Sequence, residues 1–172
     1  MELLERFARG DVDAFEALFR EFQGEVHRWI VRIVRDHAAA EDLTVETFWR
    51  IHRAHARFRP DGNFGAWARR IATNVALDHL KRHRREVALN DDYPEPPKGD
   101  PAVSREQREK IASAFAELPA RLRVAATLTL IEEEPYQRIA EGLGISVNGV
   151  KTRVFRAVRQ LRESLKKRGI ES

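Results

Sequence analysis

Between Pro135 and Leu161 the residue types and spacing suit contact with duplex nucleic acid. Ile139–Ala140, then Leu143–Gly144–Ile145, then Val150 have the spacing of two short helices joined by a tight turn punctuated by Gly142 and Gly144. Ala140 is small enough to let the helices approach, and Gly144 can take a positive φ. Ser146 is placed to cap the second helix, whose N-terminus then faces phosphate. Val147, Val150, Val154, Ala157, Val158, Leu161 and Leu165 form its inward stripe, leaving Asn148, Lys151, Thr152, Phe155, Arg156 and Arg159 outward. Lysine and arginine donate to guanine O6 and N7 or to phosphate, and an exposed phenylalanine suits a thymine methyl group or a sugar. The segment reads as a helix-turn-helix with its recognition helix. Arg156 is the expected base reader, and Arg153 and Arg159 the expected phosphate contacts. A helical hairpin with a solvated basic face would carry the same charges but would leave Phe155 unexplained.

A second constellation runs from Arg57 to Arg85. Phe64 and Trp67 lie one turn apart, and Arg69, Arg70, Lys81 and Arg82 flank the apolar stripe of the same segment. Aromatic rings interleaved with cations suit unstacked bases of a single strand. The preceding turn, which contains Arg57, Arg59 and Asn63, has the make-up of a pocket for an extruded base, with Phe64 at its edge. Trp67 falls on the apolar stripe and reads as core. A third constellation is Ala40–Trp49. Asp42, Val45, Glu46 and Trp49 project opposite the Leu43/Ile51 stripe, an apolar pair four residues apart rimmed by acids. Such a patch suits a protein partner.

Enzymatic readings find little support. His79 and His83 are four apart beside Asp78, a spacing open to a metal ion, but no third ligand is evident and the surrounding tract is basic. His52 and His55 fare no better. There is no cysteine, and no phosphate-binding loop, nucleophile elbow or dinucleotide fingerprint. The expectation is a protein that is not an enzyme, with no cofactor and no metal.

The elements that must position these groups follow from 172 residues with 42% hydrophobic and 34% charged side chains. No apolar run approaches the roughly 18 residues of a membrane span, and the opening MELLERFARGD is charged throughout, unlike a secretory signal. A cytoplasmic protein without membrane insertion is expected. The net charge of +4 is unevenly distributed. Residues 1–49 hold 6 Lys/Arg against 11 Asp/Glu, and residues 50–86 hold 10 against 3. Residues 87–104 hold 1 against 4, and 105–172 hold 14 against 9. Two basic blocks favour a polyanionic partner.

Four of the seven prolines fall in 87–104, too many for a helix or a central strand. That stretch is expected to be an extended linker between an N-terminal helical domain, 1–86, and a C-terminal helix-turn-helix domain, 105–172. Three-and-four spacing predicts helices throughout. The first, capped by Asp11, turns Phe15, Leu18, Phe19, Phe22, Val26, Trp29, Ile30 and Ile33 inward. The second, capped by Asp36, covers 38–58 with Leu43, Thr47, Ile51, Ala54 and Phe58 inward. The third is capped by Asn63. Ser104 and Gln107 have capping-box spacing, Pro119 suits the start of a helix over 119–131, and a short helix follows Pro135. The fold class is all-α.

These segments, in this order, resemble the extracytoplasmic-function sigma factors of bacteria, members of the sigma-70 superfamily, over nearly the whole chain. Gly10–Asp11–x–x–Ala14–Phe15–x–x–Leu18 is similar to their opening. Ala40–Glu41–Asp42–Leu43 with Glu46–x–Phe48 resembles the segment that docks on the β′ clamp helices of core RNA polymerase. Trp67–x–x–x–Ile71–Ala72–x–Asn74–x–x–x–Asp78–x–Leu80–Lys81–Arg82 resembles the segment that reads the −10 element, and Leu118–Pro119 with VKTRVFRA the domain that reads −35. The chain departs from the family at Val45, where glutamine is frequent, at Asn148–Gly149–Val150, where Gly-Thr-Val is frequent, and at Pro135–Tyr136. The resemblance implies a dissociable polymerase subunit that recognises and helps to open promoter DNA. Its implied partners are the β′ clamp helices and β flap of polymerase, promoter DNA, and an anti-sigma factor. Asp42, Val45, Glu46 and Trp49 would hold polymerase. Arg57, Arg59, Asn63, Phe64, Arg70, Asn74, Lys81 and Arg82 would serve −10. Ser146, Asn148, Lys151, Thr152, Arg153, Phe155 and Arg156 would serve −35. The alternative is a helix-turn-helix regulator with a sensing or dimerising N-terminal domain, which has no need of the Ala40–Trp49 patch. A metal-dependent helical hydrolase is more distant.

Overall fold

Every regular element among the described residues is helical. The computed structural model describes residues 2–90 and 104–170, with side chains to residue 83 in the first stretch, and no strand occurs among them. The chain divides into two compact units, residues 1–76 with 140–145, and residues 77–139 with 146–172.

The first unit opens with α1, Glu2–Ala8, a helix beyond those expected. Phe7 is fully buried, and Leu3 and Leu4, four and three residues before it, are half-buried. Gly10 turns the chain at φ 88°. Asp11 then caps α2, Val12–Val34, its carboxylate accepting from the backbone N–H of Asp13 and Ala14. Arg6 Nε also donates to Asp11 at 2.8 Å. The Arg6 hydrogen bond, with the Ala14 N–H next, holds the Asp11 carboxyl below its ordinary value of 3.8.

A depressed folded value adds stability that is present above the unfolded value and lost as pH falls through the folded one. Wild type should therefore melt above Asp11→Asn at neutral pH, since asparagine keeps the cap but not the ion pair. The gap should close as pH falls below 3.8. A gap independent of pH in thermal melts would show that the charge is not what ties α1 to α2.

Leu18, Val26, Trp29, Ile30 and Ile33 line the buried side of α2, which ends at Arg35 in the left-handed region, φ 56°. Asp36 accepts from the Ala39 N–H and caps α3, His37–Arg53. This helix stops five residues short of the expected 58. A single 3-10 turn, His55–Arg57, follows it, and Phe58 is extended at φ −73°, ψ 133°. The reason is tertiary. His55 Nδ1 lies 3.1 Å from the Ala8 carbonyl, and the buried Phe58 ring joins an aromatic cluster with Phe7, Phe64 and Trp67. A continued helix would have placed both elsewhere. Ala54, expected inward, is only half-buried.

Asn63 Oδ1 accepts from the Ala66 N–H at 3.0 Å and caps α4, Phe64–Asn90. Trp29 Nε1 donates to Thr73 Oγ1 at 2.9 Å, and Thr73 in turn donates to the Arg69 carbonyl at 2.7 Å. This buried polar chain joins α2 to α4, and its satisfied groups avoid the 1–3 kcal/mol or so that an orphaned one costs. The helix takes in the first four residues of the expected linker, 87–90, and residues 91–103 lie outside the described residues.

In the second unit, the Ser104–Gln107 capping box is formed in both directions and starts α5, Arg105–Glu117. Pro119 precedes α6, Ala120–Ala126, as its cap residue. The helix expected over 119–131 changes at Thr127 into one π-helical turn, Thr127–Ile131. Next along the chain are α7, Tyr136–Leu143, whose residues from 140 on belong to the first unit, and α8, Val147–Lys167, in the second. Gly142, expected in the turn, lies inside α7. Ala114, Leu118, Ala126, Ala157 and Leu161 form the core here, flanked by Phe115, Leu122 and Leu165. Glu117 accepts from Ser164 and pairs with Arg168, holding the end of α8 on α5.

Candidate protein-docking and nucleic-acid interfaces

Alternation along α3 decides its two faces. Leu43, Thr44, Thr47, Phe48 and Ile51 are buried, and the two threonine hydroxyls donate back to the carbonyls of Ala40 and Leu43. Val45 and Trp49, one turn apart, are 69% and 56% exposed. Glu41 and Asp42 are exposed beside them. The structure thus brings Asp42, Val45 and Trp49 to one outward face. Glu46 is half-buried and accepts from Arg50 Nε at 3.0 Å, which leaves Asp42 the more exposed carboxylate of the two.

The same ion pair leads to a site that the sequence reading passed over. Arg50, Arg53 and Arg57, with Ala54, line a cavity of about 300 Å³ at the end of α3. Their spacing of three and four was the available signal, hidden because the expected helix to 58 made them an ordinary solvated face. Three arginines gathered at one concave surface supply cationic donors of the kind that phosphate oxygens pair with.

Past it, Arg57, Arg59 and Asn63 are exposed. Arg59 pairs loosely with Asp61 at 3.7 Å, and the Gly62 N–H donates to the Arg59 carbonyl at 2.8 Å, closing the turn. Asn63 Oδ1 is occupied by its cap, so the amide N–H groups carry whatever reading the side chain does.

Two cations or rings assigned to this face belong elsewhere. Phe64 is only 4% exposed, packed against Phe7, Phe22, Phe58 and Trp67 at 4.9–5.9 Å between ring centroids. It cannot stack on a base. The cluster needs its ring as floor, a demand invisible in a stretch that reads NFGAW. Arg69 is likewise buried, its Nη1 donating to Glu25 Oε1 at 2.6 Å, where it ties α4 to α2. Arg70, Asn74, Lys81 and Arg82 are exposed as expected. The first three are four and seven residues apart, on one face of α4.

In the C-terminal segment Gly144 has φ 68°, and the Ile145 N–H donates to the Ala140 carbonyl at 3.1 Å. Ser146 Oγ accepts from the Gly149 N–H at 3.0 Å, starting α8. Val150, Val154, Ala157 and Leu161 are buried. Val147, assigned to the core, is 37% exposed. It stands in the first turn, before the stripe reaches the core formed with α5 and α6.

Asn148, Lys151, Thr152, Phe155 and Arg156 are exposed, Phe155 at 69%. Thr152 Oγ1 donates to the Asn148 carbonyl, keeping its acceptor lone pairs outward. Lys151 Nζ lies 6.0 Å from the Tyr136 ring, at the outer limit of a cation–π contact. Arg153 is half-buried, and its guanidinium is held below its ordinary pKa by that burial and then by the charge of Arg121. It flanks the exposed face instead of forming its centre.

His79 and His83 stack with centroids 6.0 Å apart. No group of three His, Cys, Asp or Glu that could hold a metal ion occurs among the described residues. None of the described helices is long and apolar enough to cross a membrane.

Comparisons with known proteins show the family to which these helices belong. Sigma-70 region 2 matches residues 18–86, and sigma-70 region 4 matches residues 108–161. The chain is 33% identical to the ECF RNA polymerase sigma factor SigE of Mycolicibacterium smegmatis, over 96% of this chain and 68% of that one. It is 35% identical to the RNA polymerase sigma factor CarQ of Myxococcus xanthus, over 94% and 95% respectively. Among solved structures, CnrH in complex with the cytosolic domain of CnrY superposes with a TM-score of 0.58 at 26% identity, covering 96% of each chain. With both sigma-70 regions matched in order and relatives aligned over more than nine-tenths of this chain, the chain belongs to the extracytoplasmic-function group of RNA polymerase sigma factors.

Proposed function

We propose that three separate exposed faces carry the work of this sigma factor. A sigma factor directs core RNA polymerase to promoters and catalyses no reaction. The observation that carries the residue assignments is the outward Val45/Trp49 pair on α3, two large apolar side chains held in solvent opposite a complete core. A DNA-binding regulator gains nothing from that arrangement. This face docks on the β′ clamp helices, with Asp42 as its exposed acid. The β flap is the expected contact of the C-terminal domain.

The turn at 57–63 and the Arg70/Asn74/Lys81 face of α4, with Arg82, engage the −10 element. The Arg50/Arg53/Arg57 cavity receives backbone phosphate, which positions the strand without reading its sequence. Asn148, Lys151, Thr152, Phe155 and Arg156 read −35 in duplex form, with Arg153 at the margin and the Ser146-capped helix start against phosphate. We assign the functional division to 1–86, 87–104 and 105–172, a cytoplasmic location, and regulation by an anti-sigma factor. Transcription from a genomic promoter library by purified core polymerase, with and without this protein, tests the whole. Enrichment of a shared two-element sequence is expected, and indifference to the added protein would overturn it.

The opening role has its own test at Asn63. Because Asn63 caps α4, Asn63→Ala mixes lost reading with about 1 kcal/mol of lost capping. Asn63→Asp keeps the cap and removes the amide donors. Both variants should reduce permanganate reactivity at −10 more than closed-complex formation. Equal loss at both stages would assign Asn63 to packing alone.

A further inference from the structure

We infer that Phe7 is a positioning residue for the −10 turn, and that α1 exists in this fold to supply it. The inference rests on the reading of 57–63 as the turn that engages an unpaired base. Phe7 is 1% exposed, and its ring centroid lies 5.9 Å from Phe58, 5.5 Å from Phe64 and 6.1 Å from Trp67. Phe58 is the residue at which the chain enters the exposed turn, and Phe64 and Trp67 are those by which it leaves into α4. The ring also meets Phe15 of α2 at 6.5 Å and His55 of the 3-10 turn at 6.4 Å. One side chain therefore touches both ends of the turn and the two elements beneath it.

The ends of the turn also meet directly, the Phe58 ring lying 5.6 Å from Phe64 and 5.0 Å from Trp67. Between Arg59 and Asn63 its internal restraints are the Gly62-to-Arg59 backbone bond and the loose Arg59–Asp61 pair. Asn63 is held by its own cap on α4, Oδ1 accepting from the Ala66 N–H, so the aromatic cluster places it through the start of that helix. The attachment of α1 is built to seat this ring. Arg6 is bonded to Asp11 on one side of Phe7, and the Ala8 carbonyl lies 3.1 Å from His55 Nδ1 on the other.

Truncating Phe7 removes the ring against which Phe58, Phe64 and Trp67 all pack, so the direct contacts among those three, at 5.0–5.9 Å, readjust and the ends of the turn shift with them. Shifts of about 1 Å in a site that must hold a reacting or flipped group can cost up to roughly 100-fold. The expected effect falls on strand reading and spares polymerase docking, which lies on the exposed face of α3.

The test uses the full chain bound to core polymerase. The probe is a labelled single-stranded oligonucleotide carrying the −10 sequence that the promoter selection returns, compared with a permuted sequence. Phe7→Ala should lose roughly 10-fold of the discrimination between the two, with core affinity unchanged. Phe7→Leu, which keeps apolar volume but not the ring, should fall between Phe7→Ala and wild type. Ile33→Ala, equally buried but further along α2, serves as the control for general destabilisation and should discriminate as wild type does.

Wild-type discrimination by Phe7→Ala overturns the inference, as does an equal loss in Ile33→Ala. If Phe7→Ala does not fold, Phe7→Leu decides in the same way. Absence of discrimination by wild type itself would overturn the reading of the turn, and the inference with it, and is distinguishable because no variant is then involved.

Discussion

Trp49→Ala is expected to weaken binding of this sigma factor to core RNA polymerase by roughly 30-fold, the consequence of losing about 2 kcal/mol at an interface anchor. Trp49 is 56% exposed and Val45 69% exposed, so the free protein leaves a large apolar surface in water that a partner would remove. Truncation creates no cavity in the core, because Leu43, Thr47 and Ile51 fill the opposite side of α3. Thermal stability should therefore stay near wild type while affinity falls. Asp42→Arg tests the acidic rim. It places a cation where an exposed carboxylate stood, and like-charge juxtaposition across an interface costs several kcal/mol. Its defect should shrink as salt rises, whereas that of Trp49→Ala should not, since exposed charges are screened and apolar burial is not. Glu46→Gln should matter less, because Glu46 is already paired with Arg50. Titration of fluorescent core polymerase with each variant measures all three. Wild-type affinity in both Trp49→Ala and Asp42→Arg would remove α3 from the docking surface.

Arg156→Ala separates base reading from phosphate holding on α8. Arg156 is exposed beside Phe155 on the face that also carries Lys151 and Thr152. A bidentate arginine–guanine contact is worth about 1–3 kcal/mol, so its loss should relax preference at one base pair and weaken the best site by that amount. A phosphate contact would instead weaken all sequences alike and lower the salt slope by about one. Base reading is expected for Arg156, because its neighbour Phe155 acts only at groove distance. Arg159 is expected to give the phosphate result. It pairs with Glu163 at 3.8 Å one turn on, and that carboxylate would stand poorly inside a groove. Binding-site selection that returns the same sequence for wild type and Arg156→Ala would refute the base assignment and leave the helix-turn-helix itself untouched.

Local chemistry made much of this protein legible before any coordinates. The caps at Asp11, Asp36, Asn63, Ser104 and Ser146 follow from side chains that satisfy orphan backbone N–H groups within three residues. The buried stripes of α2, α3 and α8 follow from helical period, which also set Val45, Trp49 and Phe155 outward. The positive φ of Gly144 follows from the turn between α7 and α8. Each is decided by residues a turn or so apart, and such rules act the same in any fold.

What only the tertiary structure decided involves partners distant in sequence. Phe7 and Phe64 are 57 positions apart in the chain, and their contact at 5.5 Å packs α1 onto the start of α4 and helps to bury the Phe64 ring. The 44-residue separation of Arg69 and Glu25 likewise converts an apparent surface cation into a buried tie. The early end of α3 depends on His55 reaching Ala8 and on Phe58 joining the cluster, although α-helical spacing in the sequence continues past Arg53. The exposure of Val147 depends on where the core beneath α8 begins. Sequence periodicity says which face of a helix is apolar. Whether a given aromatic or arginine on the margin of that face is taken up depends on long-range packing, because the burial and pairing that decide it come from elements that periodicity does not relate.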